Sequence, residues 1–323
     1  MKIRKCLPEV ALPGGVVRLQ VESLEGSLGL NVSVGGVDAE VVGAAPDFVT
    51  IRIPDTSSGD LLLRSNGFEA TSDIRLGRPV ADELHCVANP VIDSEGNIYV
   101  TLSGARGESV PFGVFVVRPD GTKEPFLGDI TNPTGLAIGP DGLIYISSRH
   151  SGTVYRSTFD KRIEKYADGL GIATGIVFDS RGNLLVGDRS GSIFRVSSDR
   201  EVALHCELEA SVSAYHLAVD AEDRLYVTGP TLATQDTVYR VDASGNVESY
   251  FKGFGRPQGL AFDSDGALNL VGSYRGRKGV FRVLQDREPE RLVAAPMLVG
   301  LAFARSGGEL YLTDGPRLFS VSL

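Results

Sequence analysis

The sequence has no tryptophan and only three cysteines, Cys6, Cys86 and Cys206. Three cysteines without a Cys-x-x-Cys pair exclude a disulfide framework and a four-cysteine zinc site. No apolar run reaches the roughly 18 residues that a membrane span needs, and Pro8 and Glu9 interrupt the apolar core that a signal peptide requires. We therefore expect a cytoplasmic protein with reduced thiols and no membrane partner.

The chain also lacks an excess of basic residues. Lysine and arginine number 32 against 41 acidic residues, which gives a net charge of −9. Such a chain has no basic field for phosphates, so nucleic acid is excluded as a general partner. Helical periodicity is nowhere sustained, and the nucleophile-elbow, zinc-helix and phosphate-loop motifs are absent. Hydrophobic residues make up 42% of the 323 residues, enough for a sizeable core.

What the sequence does contain is a repeat. Six segments share a small residue, an apolar triplet, an acidic turn and a β-rich run, and they cover 89–100, 135–146, 175–186, 216–227, 259–270 and 300–312. Their equivalent turn positions are Gly96, Gly142, Gly182, Asp223, Gly266 and Gly308. The repeat length of 40 to 46 residues is that of one four-stranded propeller blade. The sequence therefore predicts an all-β protein with a six-bladed β-propeller over 81–323.

The chain ends predict how the ring closes. After the sixth hairpin only the segment 317–323 remains, which supplies one strand where a blade needs two more. The segment 81–90 resembles the outer strands of other blades, such as 287–296. We expect 81–87 to form the closing strand of blade six and to pair with 317–323, because closure removes an exposed sheet edge.

Residues 1–76 do not carry the repeat and show short alternating strands separated by Gly, Pro, Asp and Ser. This rhythm predicts a small β-sandwich, followed by a linker at 77–80. The order PGGVV (13–17), VGGVDAEVV (34–42) and IRIP (51–54) resembles the IPT/TIG immunoglobulin-like module. That resemblance implies a packing or interaction module without chemistry of its own.

The units at 133–146 and 257–270, with the pattern P-x-G-L-A followed by an acidic turn, resemble NHL repeats. The ring is also similar to the regucalcin and gluconolactonase class of six-bladed propellers. That class implies a small-molecule hydrolase with one divalent cation, such as Ca²⁺, at the channel. The residues before the repeat glycine are Ala88, Thr134, Thr174, Tyr215, Gln258 and Val299, which include no carboxylate. Ca²⁺ normally takes several oxygen ligands from carboxylates, so no metal-ligating residue is predicted.

Site predictions rest on two faces of the ring. We label the four strands of each blade A to D in chain order. The turns between strands A and B lie on one face, which we call the A/B face. The starts of the A strands, which we call the strand entrances, and the loops between strands B and C lie on the other, the B/C face. The entrance positions are Asn89, Gly135, Gly175, His216, Gly259 and Gly300. Four of them are glycine, and the two exceptions, Asn89 and His216, belong to blades on opposite sides of the ring. His216 is the predicted catalytic residue, since imidazole transfers protons near neutral pH. Asn89, Tyr215 and Gln258 are predicted to bind ligand beside it.

The B/C loops add Arg149, His150, Asp188 and Arg275 as predicted ligand-binding residues. Seven basic and four acidic side chains in these loops would make a locally positive channel mouth. Such a mouth favours a polar or anionic small molecule. Ordinary solvated loop charges are the alternative interpretation.

Two functions follow from these patterns. The first is a lactonase-like hydrolase with its site at the channel mouth. The alternative is a non-catalytic binding or scaffolding propeller for a protein or a metabolite. The hydrolase is favoured by the resemblance and by His216 with Asn89. The binding protein is favoured by the missing carboxylates and by the N-terminal module.

Overall fold

The protein is described by a computed structural model over residues 2–22, 24, 29–158, 160–305 and 307–323. These residues form strands and turns, which confirms the predicted all-β class. The described part of the chain contains no helix of the length and apolarity that a membrane span requires.

In the described part of residues 2–73, eight strands form two four-stranded sheets, and a ninth short strand pairs outside them. The strands are β1 (Lys2–Leu7), β2 (Val10–Ala11), β3 (Val16–Glu22), β4 (Asn31–Val34), β5 (Val37–Asp38), β6 (Glu40–Ala45), β7 (Phe48–Arg52), β8 (Asp60–Ser65) and β9 (Phe68–Asp73). One sheet has the order β1-β3-β7-β6 and the other β5-β4-β8-β9. Alternating side chains of both, among them Leu19, Ile51, Val32 and Leu63, share one hydrophobic core. We call this part the N-terminal module.

The remaining strands form four-stranded antiparallel units, which we number along the chain. Unit 1 comprises β12 (Val91–Ile92), β13 (Ile98–Thr101), β14 (Val114–Val117) and β15 (Lys123–Leu127). Unit 2 comprises β16 (Pro133–Ile138), β17 (Ile144–Ser148), β18 (Thr153–Ser157) and β19 (Ile163–Ala167). Unit 3 comprises β20 (Ala173–Phe178), β21 (Leu184–Asp188), β22 (Ser192–Val196) and β23 (Val202–Glu207).

Unit 4 comprises β24 (His216–Val219), β25 (Leu225–Thr228), β26 (Asp236–Val241) and β27 (Val247–Gly255). Unit 5 comprises β28 (Leu260–Phe262), β29 (Leu268–Tyr274), β30 (Arg277–Val283) and β31 (Glu290–Ala294). Two residue pairs between β27 and β29 join these two sheets into one. Unit 6 comprises β32 (Gly300–Phe303), β33 (Glu309–Thr313) and β34 (Leu318–Ser322) together with β11 (Arg78–Ala81).

The first strands of units 1 to 6, which we call the inner strands, surround one central channel of about 440 Å³. This is the arrangement of a β-propeller. The turns after the inner strands have the predicted geometry, because all the equivalent positions adopt a positive φ: Gly96, Gly142, Gly182, Asp223, Gly266 and Gly308. Glycine and Asp tolerate this conformation, which explains the residue types in the repeat.

The closing strand is placed differently from the prediction. The segment that pairs with β34 is Arg78–Ala81, with Arg78 opposite Ser320 and Ala81 opposite Leu318. Only Ala81 belongs to the predicted strand 81–87. Beyond it, the backbone N–H groups of Leu84 and Cys86 donate to Pro316 and Gly315 in the unit 6 loop. The C-terminal strand therefore finds its partner a few residues earlier than the outer-strand resemblance indicated.

The predicted linker at 77–80 is also structured. The Gly77 N–H donates to the Ala11 carbonyl at 2.9 Å, and β2 pairs in parallel with both β31 and β10 (Arg75–Leu76). Val10 and Leu12 are buried in the same core as Val271 of unit 5 and Leu312 of unit 6. The N-terminal module is thus joined to the outer edge of unit 5 by hydrogen bonds and apolar packing.

A pair of truncations tests ring closure by β11. A chain that begins at residue 82 should melt about 5 °C or more below a chain that begins at residue 78, since only the shorter chain loses the strand beside β34. Both chains lack the N-terminal module, so its loss cancels in the comparison. Equal melting temperatures by circular dichroism would contradict closure by this strand.

Candidate functional site

Most side chains that line the central channel are apolar, and backbone groups supply polar surface beside them. Among the described residues, the lining includes two polar side chains, Asn89 and His216, and the rest are aliphatic, aromatic, proline or glycine. These two are the positions where the sequence departs from glycine at the strand entrances. The structure therefore brings together the predicted pair from units 1 and 4.

The channel is more accessible from the A/B face than from the entrances. At the entrance end Gly135, Gly175 and His216 are buried, whereas Phe178 and Phe303 at the other end are partly exposed. The prediction of a ligand mouth on the B/C face is therefore not supported by the channel itself. The repeat identifies the equivalent positions of Phe178 and Phe303 in the sequence, but it does not show that their side chains face solvent.

The entrance end is narrow because the inner strands approach each other there at backbone distance. A Cβ added to Gly300 would lie 2.5 Å from the Ala88 carbonyl oxygen and 2.8 Å from the Asn89 Cα. A Cβ on Gly259 would lie 2.7 Å from the Gly300 Cα. Real Cβ atoms do not occupy such positions, so glycine is required by the close packing of one unit on the next.

Asn89 uses its amide to connect three units. Its Nδ2 donates to the Leu260 carbonyl at 2.8 Å, and its Oδ1 accepts from the Leu301 N–H at 3.2 Å. The side chain from unit 1 thereby bonds the inner strands of units 5 and 6. The structure gives Asn89 a ring-closing role, with one donor and one acceptor already engaged.

His216 is a buried imidazole with an unsatisfied nitrogen. The residue is 2% exposed, and no described group lies within hydrogen-bond distance of its Nε2. Burial lowers the pKa of His216 to about 4, so the ring is neutral at pH 7. A neutral imidazole carries one N–H donor and one acceptor nitrogen. This residue is therefore inside the channel, and the predicted rim position is corrected.

The other residues predicted beside His216 lie elsewhere. The Tyr215 ring packs outward between units 3 and 4, its hydroxyl donates to the Glu209 carbonyl, and burial raises its pKa. Gln258 is buried at the entrance of unit 5 but is not part of the described channel lining. Alternation along a strand explains this placement, because residues adjacent to inward-facing ones point away from the channel.

Asp188 serves its own loop. Its Oδ1 accepts from the Ile172 N–H at 2.8 Å and from the Ser190 N–H at 3.1 Å. Such bonds are Asx-type capping of the loop. Asp188 is buried and does not belong to the described channel lining.

Arg149, His150 and Arg275 lie in B/C loops, away from the described channel lining. Arg149 is half-buried and donates from Nη2 to the Gly104 carbonyl at 3.0 Å. His150 is exposed beside Gly107. Arg275 is exposed and forms an ion pair with Glu288 at 2.7 Å. The eight predicted site residues are thus divided among the channel, the packing between units and the B/C loops.

The residues at the channel do not fit a Ca²⁺ ion. No three His, Cys, Asp or Glu side chains cluster at metal-binding distance within the described ranges. The oxygen of Asn89 that could act as a ligand already accepts a backbone hydrogen bond. The donor set that a hard cation needs is therefore not assembled around this channel.

The glycine ring can be tested by adding one methyl group. Gly259→Ala should lower the free energy of unfolding by about 1–3 kcal/mol or prevent folding, because the new Cβ would collide with Gly300 and Asn89. Gly43→Ala is the matched control, since a Cβ there meets nothing within 4 Å. Denaturant unfolding of both variants decides, and equal stability would contradict the close approach.

The buried state of His216 predicts a pH dependence. Its pKa is about 4 in the folded chain and near 6.5 when unfolded, so between these values the unfolded chain binds the extra proton. Stability is therefore lost as the pH falls from about 6.5 towards 4, by about 3 kcal/mol for this group. His216→Gln should lose correspondingly less stability between pH 7 and pH 4.5. Parallel curves for the two proteins would show that His216 is not buried as described.

No protein-family model and no curated protein matches this chain. Solved structures do match. A gluconolactonase from Xanthomonas campestris is 15% identical with a TM-score of 0.61, and the match covers 76% of this chain and 88% of the other. An auxiliary nutrient binding protein from Bacteroides thetaiotaomicron is 12% identical with a TM-score of 0.57, and the match covers 99% and 97%.

A third similar structure is a catalytically inactive histidine-to-alanine variant of virginiamycin B lyase from Staphylococcus aureus, with quinupristin. It is 13% identical with a TM-score of 0.55, and the match covers 95% of this chain and 99% of the other. Structural similarity at identities this low establishes the β-propeller fold and leaves the activity open.

Proposed function

We propose that this protein is a small-molecule-binding propeller whose ligand occupies the central channel and bonds to His216. The observation that carries the proposal is His216, which belongs to the channel lining and whose buried Nε2 has no hydrogen-bond partner in the described structure. Buried polar atoms in native proteins are nearly always bonded, and an exception at the end of a cavity favours a missing partner.

The channel chemistry defines the ligand class. The apolar side chains of the lining suit the apolar part of a ligand, and the backbone groups beside them can bond polar atoms. The volume of about 440 Å³ lies in the range of small-molecule pockets. One neutral imidazole at the inner end binds one uncharged polar group, such as a hydroxyl, a carbonyl or an ester. A charged end in this region would lack a counter-charge, since Asn89 and His216 are both neutral.

The N-terminal module contributes to the approach to this channel. A second cavity of about 660 Å³ lies between the module and units 5 and 6, and Phe262 and Phe303 line both cavities. Its walls include Pro8 and Glu9 from the module and Arg282 from unit 5. A ligand that enters from the A/B face would therefore pass the module before it reaches the channel.

The finer architecture belongs to the same proposal. Six four-stranded units around the described channel support a six-bladed ring, and two sheets around one core support an IPT/TIG-like sandwich at the N-terminus. The three described cysteines are free and buried, as suits the proposed cytoplasmic location. The nutrient binding protein, whose match extends over 99% of this chain, supports a binding role for the two-part architecture.

A lactonase-like hydrolase is the second candidate. It is favoured by the gluconolactonase likeness and by the neutral state of His216, since only a neutral imidazole can accept a proton. The inactive histidine variant of the lyase shows that a propeller of this fold can depend on one histidine. It ranks second because a pKa near 4 makes His216 a weak base, and no described carboxylate orients it.

Replacing His216 with leucine separates function from stability. His216→Leu should abolish ligand binding and raise the free energy of unfolding by about 1 kcal/mol, since it removes an unpaired buried nitrogen. Binding is measured by calorimetry with a panel of medium-chain alcohols and of γ- and δ-lactones. His205→Gln on the outer strand of unit 3 is the control and should bind as the unmodified protein does.

The outcomes divide the two candidates. Intact lactones or alcohols bound without turnover would establish the binding protein, and lactone hydrolysis that is lost in His216→Leu would establish the hydrolase. Retained binding in His216→Leu, or a stability loss of several kcal/mol, would contradict both and make His216 structural.

A further inference from the structure

Three arginines on the B/C face have no ion-pair partner among the described residues: Arg106, Arg149 and Arg189. They occupy the connection between the second and third strands of units 1, 2 and 3. Two other arginines of this face do form ion pairs: Arg275 pairs with Glu288 and Arg317 pairs with Asp314, each at 2.7 Å. Arg277 and Lys278 at the start of β30 also form no ion pair among the described residues, so units 1 to 3 carry three of the five unpaired basic side chains predicted at this face.

The neighbouring carboxylates are already engaged. Asp188 accepts hydrogen bonds from the N–H groups of Ile172 and Ser190 and from the Ser190 hydroxyl. Glu108, on the same loop as Arg106, accepts from the Ala105 N–H at 2.7 Å. Neither group forms an ion pair with the three arginines in the described structure.

Arg149 is held in place by one hydrogen bond and keeps N–H donors without a described partner. Its Nη2 donates to the Gly104 carbonyl at 3.0 Å, and its buried Nε has no partner. The fully buried Asn132 fixes the facing loop, since its Nδ2 donates to the Gly104 and Ala105 carbonyls and its Oδ1 accepts from the Gly107 N–H at 2.7 Å. The loop that carries Arg106 is thereby fastened against Arg149.

Arg189 occupies the matching position one unit on. Its backbone N–H donates to the Ile172 carbonyl, as that of Arg149 donates to the Asn132 carbonyl. Its Nε donates to the Ser211 carbonyl at 3.2 Å, which leaves the two terminal nitrogens without a described partner.

The electrostatics agree with this placement. Burial lowers the pKa of Arg149, and the positive charges of Arg189 and Arg106 lower it further. Like charges that lie close together repel one another, and a bound anion would relieve that repulsion.

We propose that Arg106, Arg149 and Arg189 form an anion-binding site for a carboxylate or phosphate group of a small molecule. The planar guanidinium fork matches both groups, because two parallel N–H donors meet two oxygens. This site lies on the face opposite the more open end of the channel, so it is independent of the ligand proposed at His216.

The test is calorimetric titration of the full chain with citrate and with inorganic phosphate at constant ionic strength set by chloride. Arg149→Gln and Arg106→Gln should each weaken binding of the preferred anion about tenfold, the effect of losing a charged hydrogen bond. Arg275→Gln removes the same charge from an ion pair on the same face and should change the affinity less than twofold.

Each outcome decides. Binding of citrate alone identifies a carboxylate site, and binding of phosphate alone identifies a phosphate site. If Arg149→Gln fails to fold, the exposed Arg106 and Arg189 carry the test as glutamine variants. No measurable affinity for either anion in the unmodified protein, or equal weakening by Arg275→Gln, would overturn the proposal.

Discussion

The backbone contact between successive inner strands at their entrances is the constraint on which the rest of the propeller depends. Gly300 packs on Ala88 and Asn89, Gly259 on Gly300, and Gly175 on the backbone of unit 4. At these glycines one unit touches the next at main-chain distance, where no side chain fits. The same contact narrows one end of the channel and leaves the partly exposed aromatic end as its wider opening.

Two entrance positions depart from glycine, and they do so with opposite consequences. Asn89 directs its amide into the ring and gains hydrogen bonds to two other units, so its polarity is consumed by the fold. His216 directs an imidazole into the same ring and leaves Nε2 unbonded. A buried polar atom without a partner costs stability, whereas a bonded one does not. Of the two side chains, only His216 therefore has a nitrogen left without a partner in the described structure.

The repeat, its turns and its glycines could be predicted from the sequence because each is a local pattern with one physical cause. The pairing of Arg78–Ala81 with the last strand could not, since a four-residue strand that follows glycine and contains proline resembles a linker until its distant partner is known. The pairing of Val10–Ala11 with β31, which docks the N-terminal module, could not be predicted for the same reason. Of the predicted site, only Asn89 and His216 share the channel, because strand alternation turns Tyr215 outward and loop capping occupies Asp188.

The two faces of the propeller acquire different chemistry from these constraints. On the A/B face three inner strands end in Phe178, Phe262 and Phe303, and the cavity beside the module adds charged side chains such as Glu9 and Arg282. On the B/C face most of the strand entrances are buried, and loop side chains either cap backbone groups or face solvent. The carboxylates of that face cap loops, while its arginines at units 1 to 3 remain without counter-charge. A carboxylate that caps backbone N–H groups keeps its charge but is held by its own loop. Asp188 and Glu108 therefore form no ion pair with the arginines of units 1 to 3 in the described structure.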